Sequence, residues 1–373
     1  MKVKELFTIN PGGSIRQFEN FINYIDTSSV VEGKLSEVQC LTSDYPSRAK
    51  RVIKKDDVLY STVRPVLRHY YHHKLDIENS VASTGFAVLR NKNKRIANTS
   101  FAFYYLTLPH IVAYLDNIAQ TSQTTFPTFS YKDLGRIDLP DIDINKQTKI
   151  ANILSTYDTL IENNNKRIAS LEQMAESLYK EWFVRFRFPG YETAKFENGI
   201  PMGWNIAKVK VLVDRLPFGT LYKSDDTEPS GNVIVIDQSK DAFVGYHNNE
   251  PSHIASVDDP IAIFGDHSCK FQLMICPFSL SENVIPYKAK KDATTIFLHY
   301  SLCRLIETTE YKRHWTELMS KKILVPLMNL QERFDGYIKT ILENIESLKK
   351  QNQNLTKQRD MLLPRLMSGK LEV

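Results

Sequence analysis

The sequence predicts an α/β (α+β) fold with two similar domains, separated by two long helices that form an antiparallel coiled coil. Two observations lead to this prediction: short motifs recur in the same order in both halves of the chain, and a heptad pattern follows each set of motifs. The chain has 373 residues, of which 42% are hydrophobic and 11% aromatic, so it can bury the cores of two or three domains. We therefore expect an internal repeat with pseudo-twofold symmetry.

The repeat rests on strings that occur in the same order in each half of the chain. The first half contains Lys2-Val3-Lys4-x-Leu6, Pro11-Gly12-Gly13 and Ile137-Asp138-Leu139-Pro140. The second half contains Lys208-Val209-Lys210-x-Leu212, Pro217-Phe218-Gly219 and Ile323-Leu324-Val325-Pro326. Chance similarity between short strings is the alternative. The predicted segments are 1–140 (first domain), 141–188 (central long helix), 189–206 (linker), 207–326 (second domain) and 327–373 (C-terminal long helix).

Each domain is followed by a polar stretch in which apolar residues alternate at spacings of four and three. The first seam comprises Ile150, Leu154, Tyr157, Ile161, Asn164, Ile168, Leu171, Ala175, Leu178 and Trp182. The second comprises Phe334, Ile338, Ile341, Ile345, Leu348, Asn352, Leu355, Arg359, Leu362 and Leu366. This pattern is typical of helices that pack as coiled coils. Two amphipathic helices that pack separately on their own domains are the alternative.

One asparagine in each seam, Asn164 or Asn352, predicts how the two helices align. A buried amide needs a hydrogen-bonding partner, so we expect the two asparagines to face each other in an antiparallel pair. Every other seam position then faces a seam position, from Ile150 with Leu366 at one end to Trp182 with Phe334 at the other.

Inside the domains, short runs of β-branched or aromatic residues beside turn-forming residues predict strands. The predicted strands are Val58–Val63, Gly85–Leu89, Val233–Ile236 and Ile261–Phe264, and the predicted helices are Ser100–Leu106 and Ile296–Ile306. These runs leave the sheet topology open. Phe188-Pro189-Gly190 is expected to end the central helix, because proline and glycine disfavour its continuation.

The composition sets only broad limits on function. A formal net charge of +5 and a pI near 8.7 are compatible with a nucleic-acid partner, but also with an ordinary, slightly basic soluble protein. Four cysteines without a C-x-x-C pair indicate neither a zinc ribbon nor a disulfide framework, and we expect a cytoplasmic protein. The N-terminal segment lacks the apolar core of a secretory signal, and no run is long enough to span a membrane, so no membrane partner is expected.

Catalytic signatures are absent from the sequence. It has no N/D-P-P-Y/F motif to hold a flipped adenine and no G-x-x-x-x-G-K-[ST] loop for nucleotide phosphates. Asp141, Asp143 and Lys146 are too closely spaced for a nuclease site, and His72-His73 has too few ligands nearby for a metal. The same holds for His267 with Cys269. We therefore predict no catalytic and no metal-binding residue.

One stretch, Arg48–Lys74, has the composition of a nucleic-acid contact, with eight lysines and arginines against Asp56 and Asp57. Cations displace counterions from phosphates, and aromatic or amide groups can meet base edges. A solvated basic face is the alternative. The candidate DNA contacts are Arg48, Lys50, Arg51, Lys54, Lys55, Arg64, Arg68, His69, Tyr70, His72 and Lys74, then Gln123, Thr124 and Thr125 in a polar turn, and Lys223, Lys240, His267 and Lys270 in the second domain.

Longer strings resemble a known family, the DNA-specificity subunits of type I restriction-modification enzymes. Leu171–Phe186 (LEQMAESLYKEWFVRF) is similar to the end of the central helical region in that family, and Leu355–Leu371 (LTKQRDMLLPRLMSGKL) to the end of its C-terminal helical region. Pro140-x3-Ile144-x2-Gln147 resembles the entry into the central region. The second copy departs from this pattern, with Arg333 where the first has Gln147.

The resemblance implies a function without chemistry of its own. In that family each domain is a target recognition domain that reads one half of a bipartite site in double-stranded DNA. Two methyltransferase (modification) subunits dock on the long helices, and restriction/translocase subunits join them. S-adenosylmethionine, ATP and Mg²⁺ are then ligands of the partners, and no cofactor is expected in this chain. A coiled-coil DNA-binding or scaffold protein outside a restriction system and a standalone enzyme are the alternatives.

Overall fold

The structure is a computed structural model that describes residues 1–122, 126–239, 243–307 and 312–372. The fold is mixed α/β with two long helices, and the chain divides into two compact units. Unit 1 comprises Met1–Glu162 and Asn352–Val373, and unit 2 comprises Asn163–Gln351. Each unit therefore contains a part of both long helices.

The elements of unit 1 come mainly from the first half of the chain. Its helices are α1 (Val3–Leu6), α2 (Thr99–Leu106), α3 (Pro109–Gln120), α4 (Tyr131–Arg136) and the first part of α5 (Ile144–Tyr179). Its strands are β1 (Phe7–Ile9), β2 (Ile22–Ile25), β3 (Val30–Val31), β4 (Lys34–Leu35), β5 (Gln39–Leu41), β6 (Ala49–Val52), β7 (Val58–Ser61), β8 (Tyr70–His72), β9 (Ser80–Ser83) and β10 (Phe86–Asn91).

Unit 1 is built on two four-stranded sheets. One has the order β1-β10-β7-β8 and is antiparallel throughout. The other has the order β5-β2-β9-β6, in which β2 and β9 run parallel and β6 is an edge strand. The apolar face of the first sheet and helix α2 enclose the largest core, which includes Phe7, Leu89 and Phe101. Ile150 and Leu154, from the first heptads of α5, complete this core.

The elements of unit 2 follow the same plan. Its helices are the second part of α5, which continues as a π-helical turn at Lys180–Val184, then α6 (Val209–Leu212), α7 (Thr295–Leu302), α8 (Trp315–Ser320) and most of α9 (Met328–Met367). Its strands are β11 (Phe196–Glu197), β12 (Ile200–Pro201), β13 (Asn205–Lys208), β14 (Val213–Arg215), β15 (Val233–Ile236), β16 (Phe243–His247), β17 (Ile261–Gly265), β18 (Phe271–Met274), β19 (Phe278–Leu280), β20 (Val284–Ala289) and β21 (Lys322–Val325).

The sheets of unit 2 repeat the topology of unit 1. The order β14-β20-β17-β18 matches β1-β10-β7-β8, and β16-β15-β19 matches β5-β2-β9, including the parallel central pair. The fourth strand is the difference. Where unit 1 has strand β6 beside β9, the described part of unit 2 has two isolated bridges to β19, an antiparallel one between His253 and Phe278 and a parallel one between Leu221 and Leu280. Among the described residues, a basic edge strand is thus found in unit 1 and not in unit 2.

A pair of glutamines marks the internal repeat at the start of each long helix. Gln147 Oε1 accepts the backbone N–H of Asn98 at 2.9 Å, and its Nε2 donates to the carbonyl of Ile142 at 2.7 Å. In unit 2, Gln331 accepts the backbone N–H of Thr294 at 2.9 Å and donates to the carbonyl of Pro326 at 2.8 Å. The hydrogen bonds of each glutamine thereby connect the N-terminus of a domain helix, α2 or α7, to the start of a long helix.

The alignment that placed Arg333 opposite Gln147 is therefore wrong. It matched Pro140 with Pro326, but unit 2 has two residues fewer between this proline and the glutamine. The true counterpart is Gln331, and the core residues follow the same spacing (331 − 147 and 334 − 150 both equal 184). The glutamine is buried in both units, so its hydrogen bonds replace solvation that it has lost.

The strands expected from β-branched runs are present, with small differences at their ends. They are β7, β10, β15 and β17. The helix expected at Ile296–Ile306 is wrong at its C-terminal end, because α7 ends at Leu302. Cys303 adopts an extended ψ of 123°, and Arg304 has a left-handed φ of 75°, so the chain turns away while Ile306 stays buried.

Candidate nucleic-acid interface

The edge strand β6 and the turn that follows it carry exposed cationic side chains. The strand pairs with β9 along one edge, with a register shift between Ala49 and Arg51, so that both of its end residues face the core while Lys50 faces the solvent. Ala49 and Val52 are buried, whereas Arg48, Lys50, Lys54 and Lys55 are exposed. Lysines on an edge strand also keep other strands from adding to it, so their position is compatible with protection as well as with binding.

A buried ion pair fixes the turn that presents Lys54 and Lys55. The carboxylate of Asp57 accepts the Lys54 backbone N–H at 2.8 Å. It also receives two bonds from the Arg90 guanidinium, Nε at 2.9 Å and Nη2 at 2.7 Å. The Asp57 side chain is 2% exposed, so the bidentate geometry is needed to compensate its lost hydration.

A second basic element is the turn of 3-10 helix at Pro65–Leu67, between β7 and β8. Arg64 and Arg68 flank it, both with left-handed φ values, 47° and 53°. The Arg64 guanidinium lies 4.7 Å from the centre of the Phe126 ring, and Arg68 forms an exposed ion pair with Glu32 at 2.7 Å. Val66 and Leu67, at the tip, are 57% and 46% exposed. The turn therefore presents two apolar side chains between two arginines.

Tyr70 and His72 are wrong as direct DNA contacts, because the structure buries both. The Tyr70 ring packs against Tyr60 and Phe103, and burial raises its pKa to about 12. His72 is 5% exposed, and its Nε2 lies 2.8 Å from Asp56 Oδ1. Both lie in β8, two residues apart and therefore on the same face of the strand, and all three residues of this strand are buried.

Two further candidates of this stretch are only partly accessible. The Arg51 side chain is half-buried, and its Nε is buried without a hydrogen-bond partner. The His69 ring makes a short hydrogen bond to the carbonyl of Val30. His69 thus supports the local backbone, while Arg48, Lys50, Lys54, Lys55, Arg64, Arg68 and Lys74 form the exposed basic set.

Most of the exposed basic set lacks an internal counterion. Arg68 pairs with Glu32, but none of the other six side chains takes part in a salt bridge with any residue that the structure describes. Clustered cations create a positive surface potential that attracts anionic partners. The set is the kind of surface that a phosphate backbone neutralises with release of counterions.

Comparison with known proteins also finds similarity to proteins with a DNA-specificity role. A family model, "Type I restriction modification DNA specificity domain", matches residues 1–173, which include the whole basic set. The chain is 34% identical over 164 residues to the type I restriction enzyme HindI specificity subunit of Haemophilus influenzae, covering 44% of this chain and 36% of that protein. It is 27% identical over 312 residues to the MjaIX specificity subunit of Methanocaldococcus jannaschii, covering 74% of this chain and 69% of that protein.

The chain is thus similar to type I restriction enzyme specificity subunits. Its match to the HindI specificity subunit spans about a third of that protein's length. A solved structure, the type I restriction-modification system S subunit from M. genitalium, has a similar fold with a TM-score of 0.58. That likeness covers 98% of this chain and 95% of the other, at 15% sequence identity.

In unit 2, two of the candidate contacts, His267 and Lys270, support loops. The backbone N–H of His267 donates to Gln238 Oε1 at 2.9 Å, and its ring nitrogen Nδ1 lies 3.1 Å from the carbonyl of Lys312. Lys270 Nζ donates to the carbonyl of Ser239. Lys223 is exposed. The remaining candidates, Gln123, Thr124, Thr125 and Lys240, lie outside the described residues.

Sequence reasoning missed a second basic cluster, formed by Lys94 with Lys55 and Lys74. The three lysines, together with Ser100, line one cavity of unit 1. The signal was present as a basic run, Arg90–Arg95, which follows a strand just as Arg48–Lys55 surrounds one.

Among the described residues, no group of three or more His, Cys, Asp or Glu side chains is arranged to hold a metal ion. No described helix is long and apolar enough to cross a membrane.

Proposed function

We propose that this chain is the DNA sequence-recognition subunit of a type I restriction-modification complex and that it reads a bipartite target, one part with each unit. The observation that carries the proposal is the exposed basic set, in which all side chains but Arg68 lack a salt bridge with a described residue, inside the segment that matches a DNA specificity domain. The repeated sheet topology supports the bipartite target, because two copies of one scaffold can present two different surfaces.

The basic set is suited to position DNA, while other residues select the sequence. Lysine and arginine side chains contact phosphates and set register, but phosphates carry no base information. Base edges are read by side chains that enter a groove. The turn with Val66 and Leu67 between Arg64 and Arg68 is our candidate for such an element, because methyl groups can contact thymine methyls while arginines hold the backbone.

The chain acts without catalysis of its own in this proposal. Two methyltransferase subunits dock on the long helices, restriction/translocase subunits join them, and S-adenosylmethionine, ATP and Mg²⁺ are bound by those partners. The absence of nucleotide-binding and methyltransferase motifs from the sequence supports this division.

Fluorescence anisotropy with labelled duplex DNA tests the binding step. We expect the full chain with its modification subunit to bind a duplex containing the target more tightly than a scrambled duplex at the same salt concentration. Equal affinity for both duplexes would contradict sequence recognition, and no binding to either would favour a scaffold protein without a DNA role.

We also propose that α5 and α9 pair antiparallel in the register that sets Asn164 opposite Asn352. Contacts inside each unit support it. In unit 2 the rings of Trp182 and Phe334, a predicted seam pair, lie 5.9 Å apart. In unit 1 Ile150 and Leu366, another predicted pair, belong to one core.

Oxidative cross-linking tests this register. In a background without the four native cysteines, Asn164→Cys with Asn352→Cys should form a disulfide readily, since paired seam positions fall within disulfide reach. The control is Asn164→Cys with Lys350→Cys, which places the second thiol on an exposed position of α9. Faster cross-linking of the control would show that the register is wrong.

A further inference from the structure

Unit 1 contains a cavity of about 360 Å³ with charged walls. The turn before β7, the end of β8, the loop after β10 and the first turn of α2 surround it. The residues that line it are Lys55, Asp56, His72, Lys74, Lys94 and Ser100.

The cavity contains three lysine ammonium groups but only one carboxylate, that of Asp56. Lys94 Nζ lies 2.7 Å from Asp56 Oδ2, and His72 Nε2 lies 2.8 Å from Asp56 Oδ1. Burial raises the pKa of Asp56, but hydrogen bonds from His72 and Lys94 outweigh it and hold this pKa well below its usual value, so the carboxylate stays ionised. Neither Lys55 nor Lys74 forms a salt bridge within the described residues. Two ammonium groups therefore remain without an anion.

Neutral donors complete the cavity on the side of α2. Ser100 is the second residue of this helix, at the end where the helix dipole is positive. Its hydroxyl lies 3.5 Å from His72 Nδ1 and can turn towards the cavity. Ammonium groups, a hydroxyl and a helix N-terminus are the combination that binds phosphate oxygens in proteins.

The scaffold itself does not require this cluster. By strand register, His72 opposes Val58 in unit 1, and the equivalent of this pair in unit 2 is Leu273 opposite Ala262. Counting from the helix caps Asn98 and Thr294, Ser100 corresponds to Ile296. Unit 2 thus folds in the same topology with apolar residues at these positions. The fold therefore does not need the polar, cationic cavity of unit 1, which favours a role of this cavity in ligand binding.

We propose that this cavity binds a phosphate group, with Lys55 and Lys74 as its counterions and the Ser100 hydroxyl as a neutral donor. The phosphate belongs either to a DNA backbone or to a free ligand such as inorganic phosphate, since both present the same anionic oxygens. The assignment does not rest on the proposed function, because free phosphate can occupy the cavity of a chain that binds no DNA.

Two variants remove the site by different means. Lys55→Gln with Lys74→Gln removes the unpaired charges at exposed positions, where substitution costs little stability. Ser100→Ile introduces the residue that unit 2 carries and fills the cavity without a change of charge. The control is Lys34→Gln with Lys132→Gln, which removes two exposed charges elsewhere in unit 1.

Each protein is measured in two ways. Thermal unfolding of the full chain is compared in sodium phosphate and in sodium chloride of equal ionic strength and pH, and duplex affinity is measured by anisotropy. Stabilisation by phosphate that both cavity variants lose, with DNA affinity unchanged, assigns a free phosphate ligand. No phosphate effect on the wild type, but an approximately tenfold loss of DNA affinity in both cavity variants and not in the control, assigns a backbone phosphate.

The inference is wrong if the cavity variants match the control in both measurements. Failure of the proposed function has a different signature. In that case the wild type with its modification subunit shows no preference for any DNA sequence, whatever phosphate does to its thermal unfolding.

Discussion

Units 1 and 2 have the same strand order in their sheets but differ in how deeply they bury the aspartates of corresponding ion pairs. Arg90 and Lys288 occupy equivalent positions in β10 and β20, and each pairs with an aspartate before the neighbouring strand. In unit 1 that aspartate, Asp57, is 2% exposed and is held by two bonds. In unit 2 the aspartate, Asp259, is 67% exposed. The equivalent cations Arg90 and Lys288 therefore bind a buried aspartate in one unit and an exposed aspartate in the other.

The units also differ where their domain helices meet the long helices. In unit 1 the Tyr104 hydroxyl and the Arg359 guanidinium both bind Asp158. In unit 2 the equivalent tyrosine, Tyr300, packs among the rings of Tyr179 and Phe334. The same topology thus allows either polar or aromatic contacts between the domain helix and the long helices. The scaffold is fixed by backbone pairing and apolar spacing, and the remaining positions are free to diverge with the ligand.

The largest difference is expected for the two aspartates of the ion pairs. Asp57→Ala leaves the Arg90 guanidinium and the Lys54 N–H without their acceptor, so we expect it to lower the free energy of unfolding by about 3 kcal/mol. Asp259→Ala should change it by less than about 1 kcal/mol, because that pair is exposed. Urea unfolding followed by far-UV circular dichroism measures both. Equal effects would show that the two pairs are energetically alike.

DNA binding should depend on β6 and the turn that follows it, since the described part of unit 2 has no equivalent of this strand. Lys50→Ala, Lys54→Ala and Lys55→Ala together should weaken binding and reduce the slope of log affinity against log salt by roughly 0.9 for each phosphate that the protein no longer neutralises. The matched control is Lys34→Ala, Lys132→Ala and Lys357→Ala, which removes the same charge from exposed positions of unit 1. An unchanged slope, or the same change in the control, would place the DNA elsewhere.

Asp335, on α9, should make unit 2 less stable at higher pH. Its counterpart by the helix spacing is Ala151 in unit 1 (335 − 151 is again 184). Burial raises the pKa of Asp335 to about 7, although a hydrogen bond from Thr294 opposes this. The folded state therefore binds this proton more tightly than the unfolded state, and stability falls as pH rises from about 4 through 7.

The replacement Asp335→Asn removes this dependence. We expect its advantage over the wild type to grow between pH 5 and pH 8, to roughly 1–2 kcal/mol. Tryptophan fluorescence during urea unfolding follows unit 2 selectively, because Trp182, Trp204 and Trp315 all lie there. A constant difference across this pH range would rule out the raised pKa.

The smallest effect is expected at His299, which occupies the position of Phe103 when counted from the helix caps. Burial lowers the pKa of His299 to about 4, and its Nδ1 has no hydrogen-bond partner. The unfolded state then takes up the proton first, so stability is lost as pH falls from about 6.5 towards 4. His299→Phe should gain roughly 1 kcal/mol over the wild type at pH 5 relative to pH 7. A gain at higher pH instead would contradict this assignment.

The sequence predicts the parts of this fold that depend on periodicity. The heptad spacing identifies α5 and α9, and β-branched runs identify β7, β10, β15 and β17, because both follow from which face each element buries. It does not identify Gln331, because the equivalence of Gln147 and Gln331 rests on hydrogen bonds to Asn98 and Thr294 rather than on neighbouring residues.

The basic surface is only partly predictable from the sequence, because it too depends on contacts between residues that are distant in the chain. A run of lysines indicates charge, but not which side chains the sheet buries. Tyr70 and His72 look like ligands of DNA in the sequence, but Tyr70 lies in the core and His72 is buried beside Asp56 at the wall of the cavity, since all three residues of β8 are buried. The cavity joins Lys55, Lys94 and Ser100, which are far apart in sequence, so it emerges only when strands and helix are assembled.

In the proposed function, this chain supplies sequence recognition and its partners supply the chemistry. Adenine methylation of a genomic DNA library, mapped by sequencing, tests it directly with the chain alone, the modification subunit alone, and the two together. The account predicts a single bipartite methylated motif with the mixture and no methylation with either protein alone. Methylation by the chain alone, or the same motif with the modification subunit alone, would contradict it.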